Sequence, residues 1–121
     1  MKSFYLIAFL GFALIDALAL AQAQSWPTRP VRILVPYTPG GGVDVIARAL
    51  ALKMGEHMGA SFIVENRPGG TGVVATEMLT RAAPDGHTLM ASALEFVINP
   101  ALRAKLPYDP LKDFKIGRAH V

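Results

Sequence analysis

The stretch VPYTPGGGVDVIARAL, Val35 to Leu50, sets three glycines between a short apolar run and a segment with helical periodicity. Strand, glycine loop and helix in that order open an α/β unit, and the loop lies where such units gather ligands. A nucleotide phosphate loop is excluded, because PGGGVDVIAR lacks the Lys-Ser/Thr pair that closes on the phosphates and magnesium. What remains is a set of free amides at the positive end of a helix, which suits a carboxylate or another anion. A tight turn with positive φ needs one glycine. Three in a row, Gly40, Gly41 and Gly42, favour close approach of a ligand to the backbone.

Upstream, the extended lead-in SWPTRP reaches VRILV, Val31 to Val35, a short β-rich run closed by Pro36. Downstream, the spacing predicts a helix from about Val43 to Met58, with Val43, Ile46, Ala47, Leu50, Met54 and Met58 on its buried face and Gly59 at its end. SFIVE, Ser61 to Glu65, reads as a second strand, followed by the loop NRPGG. A second helix is expected over Val73 to Ala83, burying Val74, Met78 and Ala82, then a turn at APDGH and a third strand over Thr88 to Ala93. Two alternations with short connections define an α/β fold that begins β-α-β-α-β, with a parallel sheet and right-handed crossovers. The pattern then fades into EFVINPALRAKLPYDPLKDF, where one helical turn is expected around Pro100 to Lys105. Three open parallel strands leave edges and a face unfinished, so these residues read as part of a domain.

Composition narrows the chemistry. The net charge is +3, the hydrophobic fraction is 52% and cysteine is absent, so the chain is globular in character and has no thiol or disulfide chemistry. There is no basic stripe interleaved with aromatics, and no nucleic-acid partner is expected. At the start, Lys2, an apolar run from Phe4 to Ile15 and the small-x-small site Ala21-Gln22-Ala23 read as a secretory signal peptide over residues 1–23. A membrane anchor would need about 20 apolar residues, and this run meets Asp16 first. At the other end, Ile116 to Val121 is what ATC GGA AGA GCA CAC GTC encodes, a string resembling a sequencing-library adapter. Residues 24–115 are therefore expected to be the biological segment and 116–121 a non-native tail.

Other candidates each have a plain structural alternative. Asp44, at the start of the first helix, either stabilises that helix N-terminus or meets an amino group or water beside a ligand. Arg67 can clamp a carboxylate or pair with Glu65 or Asp85 on the surface. His57 falls at the end of the first helix, and His87 in a turn where exposure is the simplest expectation. GTGVVA, Gly70 to Ala75, matches a dinucleotide fingerprint with Glu95 at a tolerable distance, but Asn66 to Gly69 intervene between strand and first glycine. A nucleotide-binding enzyme fragment using Gly70-Thr71-Gly72 is one alternative function, and a small exported interaction module is another. The Ser92 hydroxyl has no evident base, and no His, Asp or Glu pair has metal-ligand spacing. Neither a metal nor a cofactor is called for, and nothing points to catalysis.

Five ordered motifs, WPTRPVRILVPYTPGGGVDVIARAL, VENRPGGTG, AAPDGHTL, NPAL and LPYDPLKDF, resemble the tripartite tricarboxylate transporter receptors, the TctC or Bug extracytoplasmic solute-binding proteins. The resemblance runs from Trp26 to Phe114. It implies a periplasmic binding protein of the type II kind, whose two lobes close on a small carboxylate and deliver it to membrane permease subunits. The positions matching that family's carboxylate-holding loops are Tyr37, Thr38, Gly40, Gly41 and Asp44, then Asn66, Gly69, Gly70 and Thr71, then Ser92. Val43 stands where the family often has Thr or Ser, and Thr71, Val73 and Ala75 where Gly, Asn and Gly are frequent. Family members run roughly two to three times longer, as two domains require. The resemblance therefore makes this chain a truncated first lobe, not competent to bind alone.

Overall fold

The computed structural model of the chain describes residues 26–114, so the signal-peptide segment and the adapter-like tail lie outside the described residues. In chain order the elements are β1 (Val31–Val35), α1 (Gly42–Met58), β2 (Phe62–Asn66), a single 3-10 turn (Gly70–Gly72), α2 (Val73–Thr80), β3 (Thr88–Met90) and α3 (Glu95–Leu102). The three strands form one parallel sheet in the order β2-β1-β3, with Ile33 opposite both Val64 and Leu89.

The central strand is apolar at four of its five positions because both of its faces are covered. Ile33 and Val35 pack with Ala47 and Ala51 of α1, and Phe62, Val64 and Leu89 extend that layer. Leu34, also buried, points the opposite way. Its register partner Met90 lies beside Thr76 of α2, whose hydroxyl approaches the Met90 sulfur at 3.7 Å. The two helices thus cover opposite faces, as right-handed crossovers demand when the chain first moves to one side of β1 and then to the other.

The boundaries of α1 match expectation, but its buried stripe does not. Asp44, Ala47 and Ala51 face inward, Val43 and Met54 are half-buried, and Ile46 and Leu50 are 61% and 54% exposed. Small side chains allow the helix to lie close on the sheet, and Asp44 is drawn inward by polar partners, which rotates the larger aliphatics outward. The second helix is corrected in the same sense: it ends at Thr80, buries Ala75 and Thr76, and leaves Val74 45% exposed. The third strand is shorter than expected, since the backbone leaves the sheet after Met90. Only Ala91 still bonds to it, its amide donating to the Leu34 carbonyl at 2.9 Å.

The expected single turn near Pro100 is instead a helix starting at Glu95 and containing Pro100. Proline removes one hydrogen bond there, and tertiary contacts hold the helix despite it. The Asn99 side-chain amide donates to the Thr71 carbonyl at 2.8 Å. Phe96 stacks on Tyr108 with centroids 6.1 Å apart, and Phe114 meets both rings edge-on, so the LPYDPLKDF segment folds back onto α3. Among the described residues no helix is long and apolar enough to cross a membrane.

The rotation of α1 is testable with one chemical change at two positions. Ala47→Leu overfills the layer against Ile33 and Val35 and is expected to cost about 1 to 3 kcal/mol. Ala49→Leu, on the exposed side, should stay within about 0.5 kcal/mol. Urea denaturation of the two variants, in the full reading frame that contains residues 26–114, measures the difference.

Candidate functional site

Three loops leave the carboxyl ends of the three strands. Because β1 is followed on one side by β2 and on the other by β3, the chain reverses direction there, and the crevice between the ends of β1 and β3 is a topological switch point. Ligands of open α/β sheets bind at such crevices.

The first loop is tied down by Asp44. This residue is 2% exposed, and its carboxylate accepts from the Gly40 amide at 2.8 Å, from Arg48 Nε at 3.1 Å and from Asn66 Nδ2 at 2.8 Å. Asn66 Nδ2 also donates to the Tyr37 carbonyl at 3.1 Å, and its Oδ1 accepts from Arg48 at 2.8 Å. Asp44 and Asn66 therefore face each other and clamp the first loop to the second. Gly41 precedes α1 in extended conformation, and no described side chain caps the helix. The first amides of α1 are left open beside Thr38, Gly40 and Gly41.

The second loop has positive φ at Gly69, Gly70, Thr71 and Gly72 in succession. For Thr71, at φ 56° and ψ 49°, this is an unfavourable left-handed conformation for a β-branched residue. Asn99 holds its carbonyl, and Arg103 of the following segment reaches its hydroxyl at 3.3 Å and the Gly70 carbonyl at 3.2 Å. Gly72 must be glycine for a second reason. A Cβ there would sit 3.3 Å from Glu95 Cγ and 3.5 Å from Pro36 Cβ. The helix α2 that begins next also lacks a side-chain cap among the described residues.

The third loop brings Ser92 to the crevice. Its hydroxyl donates to Glu95 Oε1 at 2.6 Å, so the partner absent from the sequence reading is the glutamate three residues on. The Ala93 amide lies 3.1 Å from the Tyr37 hydroxyl and 3.4 Å from the same Glu95 oxygen. Tyr37 thus touches all three loops, through its carbonyl to Asn66 and its ring hydroxyl to Ala93. Burial pushes the Tyr37 phenol up from its ordinary value, and the neighbouring Glu95 carboxylate adds to the shift. For Glu95 burial works against ionisation, but hydrogen bonds from Ser92, Tyr37 and the backbone outweigh it and keep the carboxyl below its ordinary value. The sequence singles out Glu95 only as the acidic residue of the dinucleotide fingerprint, not as the partner of Ser92.

The remaining candidates lie elsewhere. Arg67 pairs with Glu65 at 3.0 Å, and Arg32 binds the same carboxylate in bidentate fashion at 2.7 and 2.8 Å. Asp85 pairs with Arg29. His87 is buried, 5% exposed, contrary to the exposed turn expected. Its ring lies between the Asp85 carbonyl at 3.2 Å and the Thr28 amide at 3.3 Å, with Trp26 packed beside it. The tryptophan comes this close because residue 86 has no side chain: a Cβ there would meet its indole nitrogen at 3.1 Å. His57 occupies the last turn of α1. Among the described residues no cluster of His, Asp or Glu can hold a metal ion. A hollow of about 410 Å³ lies between α1 and β2, lined by Arg48, Ala51, Leu52, Gly55, Phe62 and Val64.

The α/β unit with its three-stranded parallel sheet is that of periplasmic solute-binding proteins. The chain belongs to the tripartite tricarboxylate transporter family of receptors, TctC, whose model matches residues 46–117. It is 40% identical over 110 residues to a UPF0065 protein of Bordetella pertussis, covering 89% of this chain and 34% of that protein. Among solved structures it is similar to MatC from Rhodopseudomonas palustris with bound malate: 39% identity, TM-score 0.69, 74% of this chain and 31% of that one. It is also similar to R. palustris Rpa4515 with adipate, with 33% identity and a TM-score of 0.61 over 71% of this chain and 29% of that one. The chain thus spans about a third of the length of the relatives it matches. This family consists of substrate-binding receptors of the periplasm and not of enzymes.

Three carboxyls set the acid response of this framework. Asp44 is held at about 2 by Arg48, the Gly40 amide and Asn66; Glu65 at about 2 by Arg32 and Arg67 against burial; Asp85 at about 2 by the His87 amide and Arg29. Their ordinary values are 3.8, 4.5 and 3.8. Groups depressed on folding add stability that is complete above the unfolded value and is lost as the pH falls through the folded one. The melting temperature is expected to hold from neutrality down to about pH 5 and to fall from there towards pH 2. Asp44→Asn should lower it at pH 7 and flatten that acid limb, as read by circular dichroism melts of the full reading frame that contains residues 26–114.

Proposed function

We propose that these residues form the carboxylate-binding wall of an extracytoplasmic receptor that captures a small di- or tricarboxylate, aromatic acid or acidic amino acid. The bound acid is then delivered to the membrane permease subunits of a tripartite tricarboxylate-type transporter. The observation that carries this reading is the uncapped N-terminus of α1, which follows the glycine loop at the carboxyl end of β1. Open amides with the positive end of a helix dipole behind them hold a carboxylate without a metal or a cofactor.

In this reading the carboxylate is met by the backbone at Gly40, Gly41, Gly69 and Gly70 and by the side chains of Thr38 and Thr71, while Tyr37 and Ser92 line the ligand crevice beside Glu95. Asp44 and Asn66, their polar groups turned toward each other, hold the loops in place and act through them. Two relatives solved with malate and adipate support small dicarboxylates as the reference ligands. Residues 1–23 act as the export signal, and 116–121 are foreign to the protein. A second lobe closes the cleft, and this chain without it binds weakly. The exposed aliphatics of α1 and the exposed Val97 and Leu102 of α3 suit surfaces on which further chain packs.

Calorimetry of the full reading frame that contains residues 26–114, against di- and tricarboxylates, aromatic acids and acidic amino acids, tests the receptor reading. Heat with at least one acid is expected, and silence toward all of them would falsify it. A single cooperative melt of residues 24–115 alone would count instead for an autonomous module. Gly41→Ala separates binding from folding. Its Cβ would meet only the Thr38 carbonyl at an ordinary 3.6 Å, and the backbone there suits alanine. The fold should keep its melting point within about 2 °C, while the methyl group on the amide surface weakens carboxylate binding by roughly tenfold, about 1.4 kcal/mol.

A further inference from the structure

Resting on the receptor reading, we infer that Glu95 is a specificity-determining residue, selecting acids that carry an ammonium or other cationic nitrogen over plain di- and tricarboxylates. Three observations lead there. Glu95 stands in the switch-point crevice itself, with Gly72 beneath its side chain and Ser92 and Ala93 against its Oε1.

The second observation concerns the donors. An incoming carboxylate at the β1–β3 end of the crevice would use the Ser92 hydroxyl, the Ala93 amide and the Tyr37 hydroxyl. All three are already directed at Glu95 or at each other. A second anion at that end finds its donors engaged and a like charge within a few ångströms, in a half-buried place where water screens poorly. The open amides of α1 belong to the first loop and are not engaged by Glu95, so a ligand carboxylate is better placed there, with its other end toward Glu95.

The third is the absence of a counter-ion. Asp44, Glu56, Glu65, Glu77, Asp85 and Asp109 each have a basic partner within 4.0 Å. Glu95 has none among the described residues and, unlike Asp113, which also lacks one but is exposed, it is half-buried, with hydrogen bonds that favour its charged form. A carboxylate so placed is completed by a cation that arrives with the ligand.

A matched pair of probes tests the assignment in the full reading frame: L-glutamate and glutarate, which share both carboxylates and differ by the ammonium group. Calorimetry of the unaltered protein should give at least tenfold tighter binding of glutamate. Glu95→Gln keeps the shape and removes the charge, and should cut that ratio to about threefold or less, mostly by improving glutarate. Equal affinities in the unaltered protein, or a preference that survives Glu95→Gln in a variant whose melting curve is unchanged, would overturn the assignment and leave the receptor reading standing. Silence toward both probes and every other carboxylate would overturn the two together.

Discussion

The buried carboxylate of Asp44 is the interaction on which the rest of the site depends. One side chain satisfies the Gly40 amide, reaches across to Asn66 at the end of β2 and draws in Arg48 from the next turn of its own helix. A buried charge is tolerable only with such company. Because it is so partnered, the glycine loop has a defined shape, α1 leaves it at a defined angle, and the helix amides stay open. Asn66 then carries the constraint to Tyr37, and Tyr37 carries it to the third loop.

The sheet order supplies the other half of the design. With β1 in the centre and its neighbours reached in opposite directions, a helix covers each face and the loops part above the strand ends. The glycines there are needed for different reasons. Gly41 has only the Thr38 carbonyl near it and leaves backbone surface bare, whereas Gly72 makes room for another part of the protein, Glu95 and Pro36. Two family relatives, solved with malate and with adipate, share this α/β unit at 39% and 33% identity.

Much of the fold was legible along the chain. VRILV reads as a strand, and Gly59 after a helical run as its end. The buried faces of the helices were less legible, because hydrophobicity periods favour large aliphatics. This sheet instead accepts Ala47, Ala51 and Ala75 close against it and leaves Ile46, Leu50 and Val74 outside. Pro100 hid α3, since a local rule against proline in helices was outweighed by Asn99 and by the stacked rings of Phe96, Tyr108 and Phe114. His87 was hidden by its turn composition, and its burial depends on Trp26, which lies 61 positions earlier in the chain.

By itself the sequence determined the parallel α/β alternation, the two glycine loops at helix starts and the family to which their motifs belong. These are written in short spacings, where local sterics and periodicity act. The tertiary structure decided that Asp44 and Asn66 turn toward each other, that Thr71 is held in a left-handed conformation, and that Ser92 and Tyr37 meet around Glu95. Each of those outcomes joins residues from different loops, and only the closing of the sheet brings the loops within hydrogen-bond reach.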